Sequence, residues 1–305
     1  MKIGANPNWF ANNPLLRLNN EKDSTAFIRA RLADPDSLMI PLWQGDPLVI
    51  DGKKAGFLST AARSEFPQGA TTVFLGLKND RAYFGIDASA TSQAPETAAF
   101  ADIGEYMSLR MAASELNRDD LAVIGHARWL IEWRRTHQFC SACGHETDLQ
   151  LGGAKSQCPN CEAIHFPRSN PVAIVLATHK DACLLGRGPS WPPGFLSALA
   201  GFIEAGETPE EAAKRELFEE AGIMLTDVRY QFSQPWPFPA SMMMGFIADA
   251  EDRDLNLDTD EIEEARWVAK SDIRLLLDKD ENAPEGIFVP PRFTIARQLL
   301  EIWAR

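Results

Sequence analysis

The stretch AGFIEAGETPEEAAKRELFEEAGI, residues 200–223, predicts a helix whose two ends are marked by its own side chains. Thr208 can cap the first turn, Pro209 suits the first helical position, and Glu211 completes a capping box with Thr208. Gly222 suits the position just after the last turn, where the backbone often becomes left-handed. These local signals predict a helix that begins at Pro209 and ends just before Gly222.

The last two turns of this helix carry glutamates where a helix normally favours basic residues. Glu219 and Glu220 follow Glu216 by three and four positions, so the side chains repel one another at the negative end of the helix dipole. They fall within about a third of the circumference, which gathers the carboxylates on one face. Such oxygen ligands are typical of Mg²⁺ and Mn²⁺ sites. A solvated acidic face is the alternative, but the apolar neighbours and the glycines ahead of the helix favour a cation site.

These features follow the order of the Nudix box, G-x5-E-x7-R-E-U-x-E-E-x-G-U, in which U is a bulky apolar residue. The stretch resembles the box at every fixed position, which are Gly201, Glu207, Arg215, Glu216, Leu217, Glu219, Glu220, Gly222 and Ile223. The resemblance implies a hydrolase that acts on a nucleoside diphosphate linked to another group. It also implies a catalytic role for Arg215 and a site for Mg²⁺ or Mn²⁺ formed by Glu216, Glu219, Glu220 and the backbone carbonyl of Ala200.

Four of the five cysteines form two Cys-x-x-Cys pairs, in FCSACGHE and SQCPNCEA, with fourteen residues between the pairs. Each such turn aims two thiolates at one ion, so the sequence predicts a closed, structural zinc site formed by Cys140, Cys143, Cys158 and Cys161. A redox pair or a disulfide, favoured in a secreted chain, is the alternative. Cys183 is expected to be a buried core thiol.

The signature segment, SQPWPFPAS at residues 233–241, follows the box. Its prolines preset the backbone, so its aromatic rings can be presented to a flat ligand with little ordering cost, although core packing is an equal alternative. The segment resembles the signature of the NADH pyrophosphatase subfamily of the Nudix hydrolases, whose members also carry a four-cysteine zinc ribbon. The resemblance implies hydrolysis of NADH or NAD⁺ to AMP and NMNH or NMN.

The same resemblance implies further site residues and a homodimer. The ligand-binding residues it implies are Phe166, Phe202, Gln234, Pro235, Trp236, Pro237, Phe238, Pro239, Ala240, Ser241, Met243 and Ala296. Another metal-binding carboxylate is expected outside the box, and Glu261 in DTDEIEEARW matches its place, with Glu263 and Glu264 as neighbouring alternatives. Because subfamily members are homodimers, a partner chain could complete the site.

The order of strand and helix patterns divides the chain into three zones. Residues 1–125 predict an N-terminal Nudix-like α+β domain, residues 126–167 a linker helix and the zinc ribbon, and residues 168–305 the catalytic Nudix domain. Strands on both sides of a helix in the third zone indicate an α/β/α sandwich, so the fold class is α+β or mixed α/β.

Charge and hydropathy limit the partners of this chain. A formal net charge of −13 counts against general attraction to nucleic acids or anionic membranes, so phosphate ligands would need a metal or local cations. We find no apolar run of about 18 residues that could span a membrane and no apolar core of a signal peptide. We therefore expect a cytoplasmic location.

Two other functions stay open. One is hydrolysis of a different diphosphate, such as ADP-ribose or a dinucleoside polyphosphate. The other is nucleic-acid binding by the zinc ribbon, suggested by basic residues near it, which are Arg134, Arg135, His137, Lys155 and Arg168. Removal of an NAD cap from the 5′ end of RNA would combine these functions, because the same diphosphate is cut.

Overall fold

The computed structural model of the chain describes residues 6–18, 24–279 and 286–305. It divides into two compact units. The first, here named the box unit, consists of Met1–Trp9, Ser169–Pro235 and Ser241–Arg305. The second, the ribbon unit, consists of Phe10–Arg168 and Trp236–Ala240.

The ribbon unit begins with a seven-stranded sheet and three helices, in the order α1 Thr25–Ala33, β1 Leu38–Trp43, β2 Asp46–Ile50, β3 Lys54–Ala55, β4 Leu58–Ser59, β5 Thr72–Lys78, β6 Arg81–Asp87, β7 Glu105–Tyr106, α2 Leu109–Glu115 and α3 Arg118–Thr136. The strand order is β3-β2-β1-β6-β5, β4 and β7 pair with β1 and β2, and β1 runs parallel to β6. Helix α3 packs on β5 and β6. The predicted division at residue 125 falls inside this continuous helix.

The zinc-ribbon part of this unit is a small antiparallel sheet after α3. Its strands are β8 Asp148–Gln150, β9 Lys155–Gln157 and β10 Ile164–His165. The order is β10-β9-β8, so the two cysteine pairs lie at the turns before and between these short strands. A sheet this small buries little apolar surface, which is why a metal is expected to stabilise it.

The box unit contains a six-stranded sheet and three helices, in the order β11 Asn170–His179, β12 Ala182–Arg187, β13 Leu199–Phe202, α4 Pro209–Ala221, β14 Leu225–Trp236, β15 Ser241–Ala250, β16 Glu264–Ala269, α5 Lys270–Lys279 and α6 Ile295–Ala304. The order is β14-β15-β11-β12-β16, with β13 paired to β11. Strands β11 and β15 run parallel. Seven consecutive residues of β11, numbers 172–178, are buried, as expected for a central strand covered on both faces.

Two hydrophobic cores cover the two faces of this sheet. Helix α4 packs on one face through residues that include Ala213 and Leu217. Helices α5 and α6 cover the other face through residues that include Ile273 and Leu299. The predicted mixed α+β fold with an α/β/α sandwich is therefore confirmed. None of the helices in the described ranges combines the length and apolar character needed to cross a lipid bilayer.

Candidate active site

Helix α4 has the boundaries that its own residues predict. The hydroxyl of Thr208 accepts a hydrogen bond from the backbone N–H of Glu211 at 3.2 Å, and the carboxylate of Glu211 accepts one from the N–H of Thr208 at 2.8 Å. Gly222 ends the helix with a left-handed φ of 72°. A β-carbon on Gly222 would also crowd the side chain of Asn256 at 2.8 Å.

The three glutamates in the last two turns of α4 have different environments. Glu219 is exposed and Glu216 is half-buried, whereas Glu220 is only 8% exposed. Burial first, and then the charges of Glu216, Glu261 and Glu219, together raise the pKa of Glu220 to about 8. The Oε2 atom of Glu220 is buried and has no hydrogen-bond partner among the described residues. A bound cation would satisfy this oxygen and the charge around it.

Arg215 connects the start and the end of the box. Its guanidinium donates to both carboxylate oxygens of Glu207, at 2.8 and 2.9 Å. The same group donates to Glu216 at 2.8 Å, to Glu219 at 3.0 Å and to the backbone carbonyl of Phe202 at 2.9 Å. The hydrogen bonds from Arg215 and from the backbone N–H of Glu204 lower the pKa of Glu207 to about 2. Arg215 therefore orients two of the predicted metal ligands.

Strand β13 lies beneath the glutamates. Gly201 pairs with Ala173 of β11, and a β-carbon at Gly201 would overlap the carboxylate of Glu216. Ala200, whose carbonyl is a predicted metal ligand, is exposed next to it. The glycine thus allows a carboxylate to lie directly on the backbone.

Glu261 lies close enough to Glu216 and Glu220 for its charge to raise the pKa of both. Its loop is tied to the end of α4, because the N–H of Asp258 donates to the carbonyl of Glu220 at 3.1 Å. The two alternative carboxylates, Glu263 and Glu264, instead lie next to Arg187. Arg187 binds Glu263 at 2.8 Å and lies 3.5 Å from Glu264. This geometry favours Glu261 as the further carboxylate.

The four predicted zinc ligands converge in the ribbon unit. Their four sulfur atoms all lie within 4.8 Å of one another. No other group of three or more His, Cys, Asp or Glu side chains among the described residues is this compact, so the glutamates of the box are farther apart than the cysteines. The Sγ atoms of Cys140 and Cys161 are 3.6 Å apart, and those of Cys143 and Cys158 are 3.4 Å apart. A backbone N–H of His145 is the main cause of the lowered pKa of Cys143, about 5. Four converging thiols fit one tetrahedral zinc ion.

The predicted ligand residues of the box unit are mostly buried, apart from Phe202, which is 61% exposed. Gln234 is fully buried and its amide is bound within the protein, which favours a positioning role over direct ligand contact. Ser241 and Ala296 are also buried, and Pro235 and Met243 are half-buried. In the first turn of α6, the N–H of Ile295 donates to the side chain of Gln234 at 2.7 Å, and that of Arg297 donates to the hydroxyl of Thr294 at 3.3 Å.

The remaining predicted ligand residues lie in the ribbon unit. The rings of Trp236 and Phe238 are 4.8 Å apart. Pro237 is buried, Ala240 is half-buried, and Pro239 and Phe166 are exposed.

Arg110 of α2 is a residue that no sequence pattern marks. Its guanidinium lies 4.3 Å from the ring centre of Phe238 and 5.4 Å from that of Trp236. A cation on the faces of these rings can attract a phosphate while it supports the aromatic platform.

Three family models cover most of the chain. The NUDIX domain matches residues 167–288. The NADH pyrophosphatase-like rudimentary NUDIX domain matches residues 36–133, and the NADH pyrophosphatase zinc ribbon domain matches residues 135–166. The matches follow one another in the order that the sequence motifs predict.

Similar proteins include members from bacteria and animals. The NAD-capped RNA hydrolase NudC of Deinococcus radiodurans is 35% identical over 273 residues, which are 88% of this chain and 88% of that protein. The human NAD-capped RNA hydrolase NUDT12 is 39% identical over 204 residues, 64% of this chain and 44% of that protein. The human mitochondrial NAD(P)H pyrophosphatase NUDT13 is 34% identical, and the match covers 66% of this chain and 59% of that protein. The chain thus spans about half the length of these two human relatives. From its domains and its similarity over most of the bacterial NudC, the chain belongs to the NADH pyrophosphatase subfamily of the Nudix hydrolases.

Proposed function

We propose that this chain hydrolyses the diphosphate of NADH or NAD⁺ to AMP and NMNH or NMN, with a divalent cation. The observation that carries the proposal is the buried Oε2 of Glu220, which has no partner in the described part of the chain and lies in a cluster of carboxylates. An unpaired buried carboxylate is costly unless a cation compensates it. Its position at the end of a complete Nudix box, followed by the signature segment, favours a dinucleotide diphosphate.

The cation would be held by Glu216, Glu219, Glu220, Glu261 and the carbonyl of Ala200. Hard oxygen donors fit Mg²⁺ or Mn²⁺, whereas the four thiols of the ribbon fit Zn²⁺. When bound, a divalent cation neutralises charge on the diphosphate oxygens and makes a water molecule more acidic. Arg215 holds the carboxylate of Glu216 in place while the substrate binds. The exposed ring of Phe202 lies two residues after Ala200 and can stack on a base or on nicotinamide.

NAD-capped RNA is a second candidate substrate. It is favoured by the similarity to the bacterial NudC, which is named an NAD-capped RNA hydrolase and matches 88% of this chain. The diphosphate that would be cut is the same, so the glutamate cluster serves either substrate. Only the polynucleotide beyond the adenosine differs, and its binding would weaken as salt rises.

A homodimer is part of this proposal. It is supported by large apolar side chains exposed around α4 and β14, namely Phe218, Met224 and Tyr230, each between 53% and 56% exposed. Light scattering during size-exclusion chromatography would give the mass directly. The cytoplasmic location stays a prediction from the sequence.

Product analysis tests the proposed reaction. Purified protein is incubated with NADH and Mg²⁺ or Mn²⁺, and the products are separated by HPLC, with EDTA as a control. We expect AMP and NMNH in equal amounts, no reaction in EDTA, and a loss of at least about 1,000-fold in Glu220→Gln. Glu251→Gln, an exposed glutamate outside the cluster, should retain full activity.

The other outcomes separate the alternatives. Cleavage of ADP-ribose or a dinucleoside polyphosphate with NADH intact would retain the box and reject the dinucleotide assignment. Cleavage of none of these, with salt-sensitive RNA binding, would favour the nucleic-acid-binding zinc ribbon.

A further inference from the structure

The N-terminal residues Asn6 and Asn8 lie against the first residue of the signature segment. The side-chain amide of Asn6 donates to the backbone carbonyl of Ser233 at 2.7 Å, and that of Asn8 donates to the same oxygen at 3.1 Å. These partners are 227 and 225 positions apart in the chain. Two donors occupy both lone pairs of one carbonyl oxygen, so Ser233 is held from the N-terminal side.

The two asparagines fix each other. The Oδ1 atom of Asn6 accepts hydrogen bonds from both the backbone N–H and the side-chain amide of Asn8, each at 3.0 Å. The amide nitrogen of Asn8 therefore faces two oxygen acceptors, and a flipped amide would bring oxygen against oxygen. Asn8 is only 1% exposed, so water cannot replace these hydrogen bonds without rearrangement.

Gln234, the next residue of the signature segment, extends this contact to a third part of the chain. Its amide nitrogen donates to the carbonyl of Trp9 at 3.1 Å and to that of Phe293 at 2.8 Å. Its amide oxygen accepts from the N–H of Ile295 at 2.7 Å. Gln234 thus joins the N-terminal residues to the first turn of α6 and has no exposed surface.

This arrangement bears on ligand binding because two predicted ligand groups follow directly from it. Ala296 is the next residue of the α6 turn that Gln234 holds. Pro235, another predicted ligand residue of the box unit, follows Gln234 directly along the chain. The position of Ser233 and Gln234 therefore sets the position of both groups.

We propose that Asn6, Asn8 and Gln234 are positioning residues that present Pro235, which follows Gln234 in the signature segment, and the first turn of α6 to the dinucleotide. They act through Ser233 and Ile295 and do not touch the diphosphate. The inference rests on the proposed function, because the ligand is the substrate named there. It assigns a role in substrate binding to the N-terminal residues that precede the ribbon unit.

Asn8→Asp tests this role with the least change of shape. The substitution replaces the side-chain amide nitrogen of Asn8, which donates to the carbonyl of Ser233 and to the Oδ1 of Asn6, by a carboxylate oxygen that faces the same two acceptors. We expect the KM for NADH to rise about tenfold, with a smaller fall of kcat and unchanged Mn²⁺ affinity. The matched control is Asn13→Asp, which loses a 3.1 Å hydrogen bond to the carbonyl of Ala122 in the ribbon unit and should leave KM unchanged.

Hydrogen exchange provides a readout that does not depend on activity. Asn8→Asp should speed exchange of the backbone amides at residues 232–234 and 294–297, and Asn13→Asp should not. If Asn8→Asp does not fold, Gln234→Glu takes its place, since it retains the acceptor for Ile295 and loses both donors. A folded variant with a lower Tm but unchanged KM and unchanged exchange would overturn the inference.

Failure of the proposed function gives a different pattern. If the wild-type protein cleaves no NADH, the reaction assignment is wrong, and the exchange experiment alone then decides the positioning role. Faster exchange confined to Asn8→Asp and Gln234→Glu would support it, and unchanged exchange would reject it.

Discussion

The carboxylate of Glu216 lies against the backbone of Gly201, in the space that the β-carbon of any other residue would fill. Both the backbone of Gly201 and the carboxylate of Glu216 are held in place by other contacts. Gly201 is paired with Ala173 in the sheet, and Arg215 holds the carboxylate of Glu216 at 2.8 Å. The glycine of the box is therefore required for space beside a predicted metal ligand, and its own φ is not in the left-handed region.

Replacing this glycine should displace the ligand without unfolding the protein. We expect Gly201→Ala to lower kcat for NADH about 100-fold, because the carboxylate of Glu216 must shift by about 1 Å or more. Mn²⁺ titration followed by electron paramagnetic resonance would show the weaker site. Gly69→Ala, at a position where a β-carbon meets nothing within 4 Å, is the control and should behave as the wild type.

Glu220 should make the stability of the metal-free protein depend on pH. Burial and the neighbouring carboxylates raise its pKa from 4.5 to about 8, so between these values the folded protein holds a proton that the unfolded chain releases. The contribution of Glu220 to stability therefore falls as pH rises through this window. In EDTA, the Tm of Glu220→Gln minus that of the wild type should increase from about pH 5 to about pH 8. A difference that stays flat would contradict the raised pKa.

Binding of a divalent metal should oppose the fall in stability of the wild-type protein as pH rises. A cation replaces the proton on Glu220, so the gain in Tm on adding Mn²⁺ should grow with pH across the same window. Glu220→Gln should gain little at any pH. An equal gain in both proteins would place the cation elsewhere.

The two-pronged contact of Arg215 with Glu207 should be specific to a guanidinium. Lysine at this position retains the charge, but its ammonium has three donors and no planar fork, so it cannot make the five hydrogen bonds that Arg215 donates. We expect Arg215→Lys to lower kcat/KM about 10-fold to 100-fold. Arg229→Lys is the matched control, since Arg229 also binds both oxygens of a carboxylate, Asp249, on the surface. Steady-state kinetics at saturating Mg²⁺ would distinguish the two variants.

Zinc removal should unfold the ribbon and expose its thiols. A chelator is expected to release about one equivalent of zinc and to make four cysteines reactive towards a thiol reagent. Cys183 should stay unreactive, because burial raises the pKa of its thiol to about 12. Cys183→Ala should bind as much zinc as the wild type, whereas Cys143→Ala should lose it. Reaction of five thiols in the folded, zinc-free protein would contradict the burial of Cys183.

Arg110 should contribute to substrate affinity through the rings on which it lies. Arg110→Met retains much of the packing and removes the charge, so the KM for NADH should rise about tenfold with little change in kcat. Arg31→Met is the control, because Arg31 also lies over an aromatic ring, 5.4 Å from the centre of Phe27 in α1, and Phe27 is not a predicted ligand residue. An equal KM effect in both variants would point to a general loss of stability.

Features set by neighbouring residues could be predicted well from the sequence. The ends of α4 follow from Thr208, Glu211 and Gly222, which interact across only a few positions. The zinc site follows from two short turns that each need the same metal. The choice among Glu261, Glu263 and Glu264 could not be made this way, because it depends on Arg187, which lies 76 positions from Glu263.

The sequence by itself determined the box helix, the zinc ligands and the mixed α+β class, because caps, paired cysteines and hydrophobic periodicity act over short distances along the chain. Only the tertiary structure decided that Gln234 is buried between Trp9 and Ile295, that Arg110 lies on the rings of the signature segment, and that Glu220 is buried whereas Glu219 is exposed. Those facts depend on which distant segments pack together, and burial and pairing between such segments are properties of the folded chain.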